Sequence, residues 1–201
     1  SRGVPGYAFS HTDEFFPGDL DDLERKLRKN RLTGGTAAVY VEPVGPESGT
    51  WPVTKEFIEG TVELAHKYGA LVIFDEVVTG FRIGLSGAQG YFGVDPDLTV
   101  FGKVIAGGYP GAGGIGGHRD CMQHLGAGLD SSGKKVKKAL CGGTMAATPI
   151  SCCAGYYTLE EIEKTNACEK AGRMADRLTE GIKASVERHG LPFVVFNQGS
   201  I

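Results

Sequence analysis

Residues 71–103 read LVIFDEVVTGFRIGLSGAQGYFGVDPDLTVFGK. This stretch holds two near-continuous apolar runs, at 71–74 and 98–101, and a third run lies upstream at 37–41. Apolar residues at helical spacing separate the run at 37–41 from the run at 71–74 and end at Gly69, where a helix C-cap glycine belongs. Apolar strands that alternate with helices predict an α/β fold whose mostly parallel sheet is flanked by helices and covered on both faces.

Ionisable residues mark the ends of these predicted strands. Glu42 follows the first run, Asp75 follows the second, and Lys103 follows the third within a glycine-rich segment. Open α/β sheets bind ligands at the carboxyl ends of their strands. We therefore expect the three side chains to converge on one cleft.

The flanking segments read as helices. Asp19 is placed to cap one before Leu20, and Thr148 with Pro149 is placed to open another that runs toward Glu163. Asn166 begins a longer helix that ends near Gly190. Its predicted buried stripe consists of Ala171, Met174, Leu178 and Ile182. The apolar run 193–196 predicts a further strand.

Composition narrows the functional classes. The chain has 201 residues, a net charge of −3 and 41% hydrophobic residues, so we expect neither nucleic acid nor a membrane as its partner. The basic run within 133–138 is interpreted as a solvated loop. With no apolar run approaching the ~20 residues of a spanning helix and no signal-like start, the predicted location is cytoplasmic.

Glycine is the compositional outlier: 32 of the 201 residues are glycine, about 16%, whereas its usual share is about 7%. Neither a collagen period nor a linker repeat is present, so the glycines indicate backbone held close to a ligand. Residues 111–116 fit a dinucleotide-binding pattern, but no strand is predicted directly before them. The five cysteines and five histidines have no metal-ligand spacing, which predicts small buried thiols and no metal.

Three segments carry a stronger signal. Residues 75–82 read DEVVTGFR, residues 96–108 read PDLTVFGKVIAGG, and residues 142–144 read GGT. Together they resemble the class III aminotransferases, which are pyridoxal-phosphate (PLP) enzymes of the aspartate-aminotransferase-like fold. The short segments at 3–5, 87–90 and 116–120 resemble those of the glutamate-1-semialdehyde aminomutase branch of that family.

The resemblance assigns roles to individual residues. It implies that Lys103 forms the Schiff base with PLP, that Asp75 pairs with the pyridine nitrogen and that Val77 packs on the ring. Gly143 and Thr144 match the segment that reaches the cofactor phosphate of the neighbouring subunit, which implies a homodimer. The implied activity moves an amino group between a small-molecule amino donor and a carbonyl acceptor.

The sequence also departs from that branch. Glu47 matches a glutamate of ornithine- and aminobutyrate-type members that pairs with a substrate-gating arginine, whereas the aminomutase branch carries asparagine there. Glu42 and Glu47 are therefore candidate substrate or gating residues. The glycine-rich, basic segment 126–139 is longer than the family loop.

Family members are roughly twice this length. We therefore interpret residues 1–165 as the central part of the large PLP-binding domain, and 166–201 as a linking helix and the start of the small domain. An aminotransferase is the leading hypothesis. An intramolecular aminomutase and a truncated, non-catalytic PLP-domain piece are the alternatives.

Overall fold

The computed structural model describes residues 3–44, 52–126, 128, 132–135 and 137–201. Its helices and strands follow the predicted alternation. In chain order they are α1 (Leu20–Asn30), β1 (Ala38–Val41), α2 (Lys55–Lys67), β2 (Leu71–Glu76), α3 (Gly87–Phe92), β3 (Leu98–Phe101), β4 (Gly114–Gly117), α4 (Arg119–Met122), α5 (Pro149–Thr165) and α6 (Ala167–Arg188). Short 3₁₀ helices cover Gly6–Phe9, Arg31–Thr33, Lys103–Ala106 and Gln123–Leu125.

The strands form one sheet in the order β1-β2-β3-β4. The first three strands are parallel, and β4 joins the edge antiparallel to β3. The predicted mostly parallel sheet is therefore confirmed. The fourth strand lies inside the glycine-rich segment, whose low side-chain content concealed it from the hydrophobic pattern.

One face of the sheet carries the hydrophobic core. Val72 and Phe74 of β2 are fully buried there, beneath a layer formed by α1 and α2. The carboxylate of Asp19 accepts a hydrogen bond from the Asp22 amide at the start of α1, as the capping pattern predicts. The core comprises Leu23, Leu27, Val39, Val41, Val44, Phe57, Ile58, Ala65, Ala70, Val72, Phe74, Ala88 and Phe92.

The opposite face of the sheet is only half-covered within the described residues. Ile73 and Asp75 of β2 are partly exposed there, and Tyr40 of β1 is 54% exposed. Burial of both faces was the expectation from the apolar runs. The structure instead leaves one face open at the strand ends that carry the ionisable residues.

Two long helices follow the sheet. Helix α5 begins at Pro149, as predicted, and Asn166 joins it to α6 with a left-handed φ of 53°. The predicted buried stripe on α6 is wrong: Met174, Leu178 and Ile182 are 59%, 64% and 42% exposed, and Ala171 is exposed as well. The buried residue of this helix is Thr179, and near the helix start the Cys168 thiol donates to the Phe81 carbonyl.

The C-terminal segment also departs from expectation. Residues 193–196 form no strand with the described sheet. Beyond them, the Gln198 side chain exchanges two hydrogen bonds with the backbone of Val53. An apolar run becomes a strand only beside a strand edge with available backbone groups, and this run is not placed at one.

The cysteines do not occupy the buried positions expected of them. Cys141, Cys152 and Cys153 are exposed, whereas Cys121 and Cys168 are partly buried. Adjacent thiols on a helix point in different directions, and here both reach the surface. Among the described residues, no helix combines the length and apolar character needed to cross a bilayer.

Candidate active site

The three parallel strands end at a common edge of the sheet. Val41 of β1 pairs with Phe74 of β2, and Glu76 of β2 pairs with Phe101 of β3. Glu42 therefore comes level with Asp75, and Lys103 opens the 3₁₀ helix just beyond β3. The register thus brings all three strand-end residues to one edge.

Both carboxylate oxygens of Asp75 accept hydrogen bonds. The Tyr40 hydroxyl donates to Oδ2 at 2.6 Å, and the Val77 amide donates to Oδ1 at 2.9 Å. The pKa of Tyr40 is raised to about 12 by partial burial, by the hydrogen bond to Asp75 and by the negative charges of Asp75 and Glu42. Tyr40 therefore remains a neutral donor throughout the physiological pH range.

Val77, just after β2, packs against the backbone at the start of the 3₁₀ helix Lys103–Ala106, which we call the Lys103 turn. A Cβ atom placed on Gly102 would lie 3.1 Å and 3.3 Å from the two methyl carbons of Val77. The Val77 side chain therefore packs directly on the backbone that precedes Lys103. Because a larger residue at 102 would have to displace Val77, this glycine sets the separation between the two chain segments.

Lys103 has an uncommon backbone conformation and an accessible side chain. Its φ is +47°, in the left-handed region, and its side chain is exposed. That conformation costs a non-glycine residue roughly 1–2 kcal/mol. Strained backbone of this kind persists only where the surrounding structure fixes it.

Helix α5 provides that support. A Cβ atom on Gly107, which ends the 3₁₀ helix, would lie 2.6 Å from the carbonyl carbon and oxygen of Ala154. Gly155 packs more closely still, on the carbonyl oxygen of Ile105. The Lys103 turn is thus held by backbone-to-backbone contact with a long helix.

Glu76, next to Asp75, organises the loop that follows β2. It is 1% exposed, and its Oε2 accepts from the Thr79 hydroxyl at 2.9 Å and the Ala88 amide at 2.6 Å. The Gln89 side-chain amide lies 3.4 Å from Oε1 and donates to the Thr99 hydroxyl of β3 at 2.9 Å. This chain of polar contacts ties β2 to β3 behind the strand ends.

The segment that contains Gly143 and Thr144 lies beside the loop that follows the Lys103 turn. The Ala147 amide donates to the Gly111 carbonyl at 2.7 Å, and Met145 packs on the same glycine. Thr144 itself is exposed. Glu47 lies outside the described residues.

Comparison with known proteins identifies the family. The family model for class III aminotransferases matches residues 17–197. The chain belongs to the class III aminotransferases. It is 38% identical over 201 residues to glutamate-1-semialdehyde 2,1-aminomutase 2 of Brevibacillus brevis, covering all of this chain and 44% of that protein.

Solved structures show the same fold. An omega-transaminase from Sphaerobacter thermophilus superimposes with a TM-score of 0.81 at 28% identity, over 99% of this chain and 43% of that one. A transaminase with PLP bound gives a TM-score of 0.75 at 29% identity, over 91% of this chain and 41% of that one. This class III chain spans less than half the length of the relatives it matches.

PLP is the cofactor of class III aminotransferases, and the residues at this edge fit it. Lys103 offers an accessible amine, and Val77 offers a partly exposed apolar surface next to the same turn. Each oxygen of Asp75 accepts one hydrogen bond here and has two lone pairs. The carboxylate can therefore accept a further N–H group from a ring nitrogen.

Sequence reasoning missed two residues that the structure places at or beside this candidate site. Tyr40 lies in β1, two positions before Glu42, which directly follows the strand, so the alternation of side chains places both on the same face. Glu76 was overlooked because the strand was predicted to stop at Asp75, whereas β2 continues for one more residue. The alternation of the strand places Glu76 on the core-facing side, and a carboxylate there requires buried hydrogen-bond donors. That position could have identified Glu76 from the sequence.

Proposed function

We propose that this chain forms part of a PLP-dependent enzyme that moves an amino group between an amino acid or amine and a keto acid or aldehyde. The observation that supports this most directly is the placement of Asp75 and Lys103 at adjacent ends of parallel strands. Membership of the class III aminotransferases supports PLP-dependent amino transfer as the reaction. Asp75 and Lys103 are the residues that we propose for it.

Lys103 is the proposed catalytic residue. When bound, PLP supplies an aldehyde that condenses with amines and a ring that accepts electrons. The Lys103 amine would hold the cofactor covalently until a substrate amine replaces it. The released amine would then move a proton from the substrate carbon to the cofactor carbon, acting first as base and then as acid.

Asp75 would pair with the protonated ring nitrogen. A carboxylate in that position stabilises the positive charge and so favours proton removal from the substrate. We expect Val77 to pack on the ring and Glu42 to face substrate. Gly143 and Thr144 are proposed to bind the cofactor phosphate of a neighbouring subunit, which makes the proposed active unit a homodimer.

Covalent trapping tests this assignment. Purified protein is incubated with PLP, reduced with borohydride, digested and mapped by mass spectrometry. We expect the modification on Lys103 and its loss in Lys103→Ala, while the matched variant Lys183→Ala, an exposed lysine of α6, still reacts at Lys103. A modification mapped to another lysine, or none at all, would contradict the proposal.

An aminomutase is the second candidate. The similarity that favours it is the 38% identity to an aminomutase over the whole chain. Offering a single δ-amino-keto substrate without an external keto acid separates the two activities. Product formed without an acceptor favours the mutase, whereas turnover that needs a keto acid favours the transaminase.

The domain division stays a proposal. We place residues 1–165 in the large PLP-binding domain and 166–201 in a linking helix and the start of a small domain. A cytoplasmic location likewise remains a prediction from the sequence.

The third alternative is a truncated, non-catalytic PLP-domain piece. A protein that folds, as judged by circular dichroism, but gives no PLP adduct would support it.

A further inference from the structure

Tyr40 and Asp75 form a direct contact between neighbouring strands. Tyr40 pairs with Ile73 across β1 and β2, so its side chain projects from the same sheet face as Asp75. Its hydroxyl donates to Asp75 Oδ2 at 2.6 Å. That distance is typical of the strong hydrogen bond between a hydroxyl and a carboxylate.

The second oxygen of the carboxylate is held from the other side. The Val77 amide donates to Oδ1 at 2.9 Å, across only two residues of the same chain segment. A carboxylate held at one oxygen can still rotate, whereas one held at both oxygens has a fixed plane. Tyr40 supplies the contact that the local backbone cannot supply.

The phenol is suited to this role because it keeps its proton. Partial burial, the hydrogen bond to Asp75, and the charges of Asp75 and Glu42 raise the pKa of Tyr40 to about 12. Tyr40 therefore donates at every pH at which the protein is expected to work. Phenylalanine would fill the same space without the hydroxyl.

We propose that Tyr40 is a positioning residue, which orients the Asp75 carboxylate toward the ring nitrogen of PLP. This inference rests on the proposed role of Asp75. Tyr40 acts through Asp75 alone, so its effect on cofactor binding depends on a carboxylate at position 75. A residue that merely fills space in β1 would show no such dependence.

The first experiment needs no cofactor. Aspartate is labelled with ¹³C in its carboxyl carbon, and the Asp75 signal is assigned from its loss in Asp75→Asn. We expect Tyr40→Phe to shift that signal, whereas the matched variant Tyr7→Phe, whose ring is 80% exposed, leaves it unchanged. An Asp75 signal identical in Tyr40→Phe and wild type overturns the inference.

The second experiment measures coupling through PLP binding. The dissociation constant for PLP is determined by absorbance titration in wild type, Tyr40→Phe, Asp75→Asn and the double variant. We expect Tyr40→Phe to weaken binding about tenfold in the wild-type background, the size of one hydrogen bond to a charged group. In the Asp75→Asn background it should have less than about a twofold effect.

The outcomes separate this inference from the proposed function. Equal losses in both backgrounds, or no loss in either, overturn the positioning role while PLP still reacts with Lys103. Wild-type protein with no PLP adduct at Lys103 contradicts the proposed function instead. Circular dichroism of each variant shows whether a loss reflects the contact or a change of fold.

Discussion

Gly155 of α5 contacts the carbonyl group of Ile105, two residues beyond Lys103, with no space for a side chain between them. Gly107 meets the backbone of Ala154 in the same way. A helix that touches a turn through its backbone holds that turn more rigidly than flexible side chains could. This packing accounts for how Lys103 keeps a left-handed conformation.

Replacement of Gly155 by alanine should therefore destabilise the protein. Its methyl group would collide with the Ile105 carbonyl, and we expect a loss of about 1–3 kcal/mol in the free energy of unfolding, as for other overpacked sites. Urea unfolding provides the measurement. Gly181→Ala in α6 is the matched control, because a Cβ atom there meets open space.

The control should move in the opposite direction. Alanine exceeds glycine in helix propensity by up to about 1 kcal/mol, so Gly181→Ala should stabilise the protein. Equal effects of the two substitutions would show that the close contact at Gly155 does not constrain the helix.

Hydrophobic periodicity predicted the sheet well. The runs 71–74 and 98–101 became β2 and β3, and their carboxyl ends meet at one edge as expected. Parallel pairing follows from the alternation with helices, so it could be inferred without contacts. The strand-end residues Asp75 and Lys103 were accessible to the same reasoning.

The rest depended on tertiary packing. The stripe containing Met174 and Leu178 has the period of a buried helix face, but periodicity does not say which partner covers it, and both residues are exposed here. The contact between Tyr40 and Asp75 joins residues 35 positions apart. Only the strand register brings them together, and a single sequence does not reveal register.

Backbone strain at Lys103 predicts a difference between two variants that both lack the amine. Alanine at position 103 must keep the unfavourable φ of +47°, whereas glycine adopts it readily. Lys103→Gly should therefore unfold with a free energy about 1 kcal/mol higher than Lys103→Ala. Urea denaturation in the absence of PLP isolates this effect from cofactor binding.

Lys183→Gly and Lys183→Ala give the reference pair for that comparison. Lys183 lies within α6, where glycine is the poorer residue, so the order of stability should reverse. If alanine were the more stable residue at both positions, the left-handed conformation of Lys103 would carry no energetic cost.

Removal of the negative charge of Glu76 should destabilise the protein even when glutamine keeps the size and shape of the side chain. Glutamine at this position would direct an NH₂ group at donors such as the Ala88 amide or the Gln89 side chain. We expect Glu76→Gln to cost about 1–3 kcal/mol, the penalty of leaving buried donors unsatisfied. Thermal or urea unfolding measures the loss.

Glu63→Gln is the matched substitution, because Glu63 is an exposed residue of α2. It should change stability by less than about 0.5 kcal/mol. A Glu76→Gln variant as stable as Glu63→Gln would mean that the polar chain between β2 and β3 does not stabilise the strand ends.

Asp97 makes the folded state sensitive to acid at the opposite end of the strands. Its carboxylate accepts from the Val72 amide at 2.7 Å and contacts His66 Nε2 at 2.8 Å. Burial alone would raise the pKa of Asp97, but the hydrogen bonds from His66 and Val72, with the charges of His66 and His118, hold it below its usual value.

A lowered pKa in the folded state means that the unfolded chain binds the proton more readily. The stabilisation by Asp97 is therefore fully present above its unfolded pKa of about 4 and is lost as pH falls through the lower folded value. Urea unfolding of wild type between pH 7 and pH 2.5 should show this loss in the acid limb of the curve of stability against pH.

Asp97→Asn should be less stable at neutral pH, by about 1–3 kcal/mol, and the difference from wild type should shrink as the pH falls below about 4. Glu180→Gln, at an exposed position of α6, should keep the wild-type acid limb. A constant difference between Asp97→Asn and wild type at every pH would show that the Asp97 charge is not what the Val72 amide and His66 stabilise.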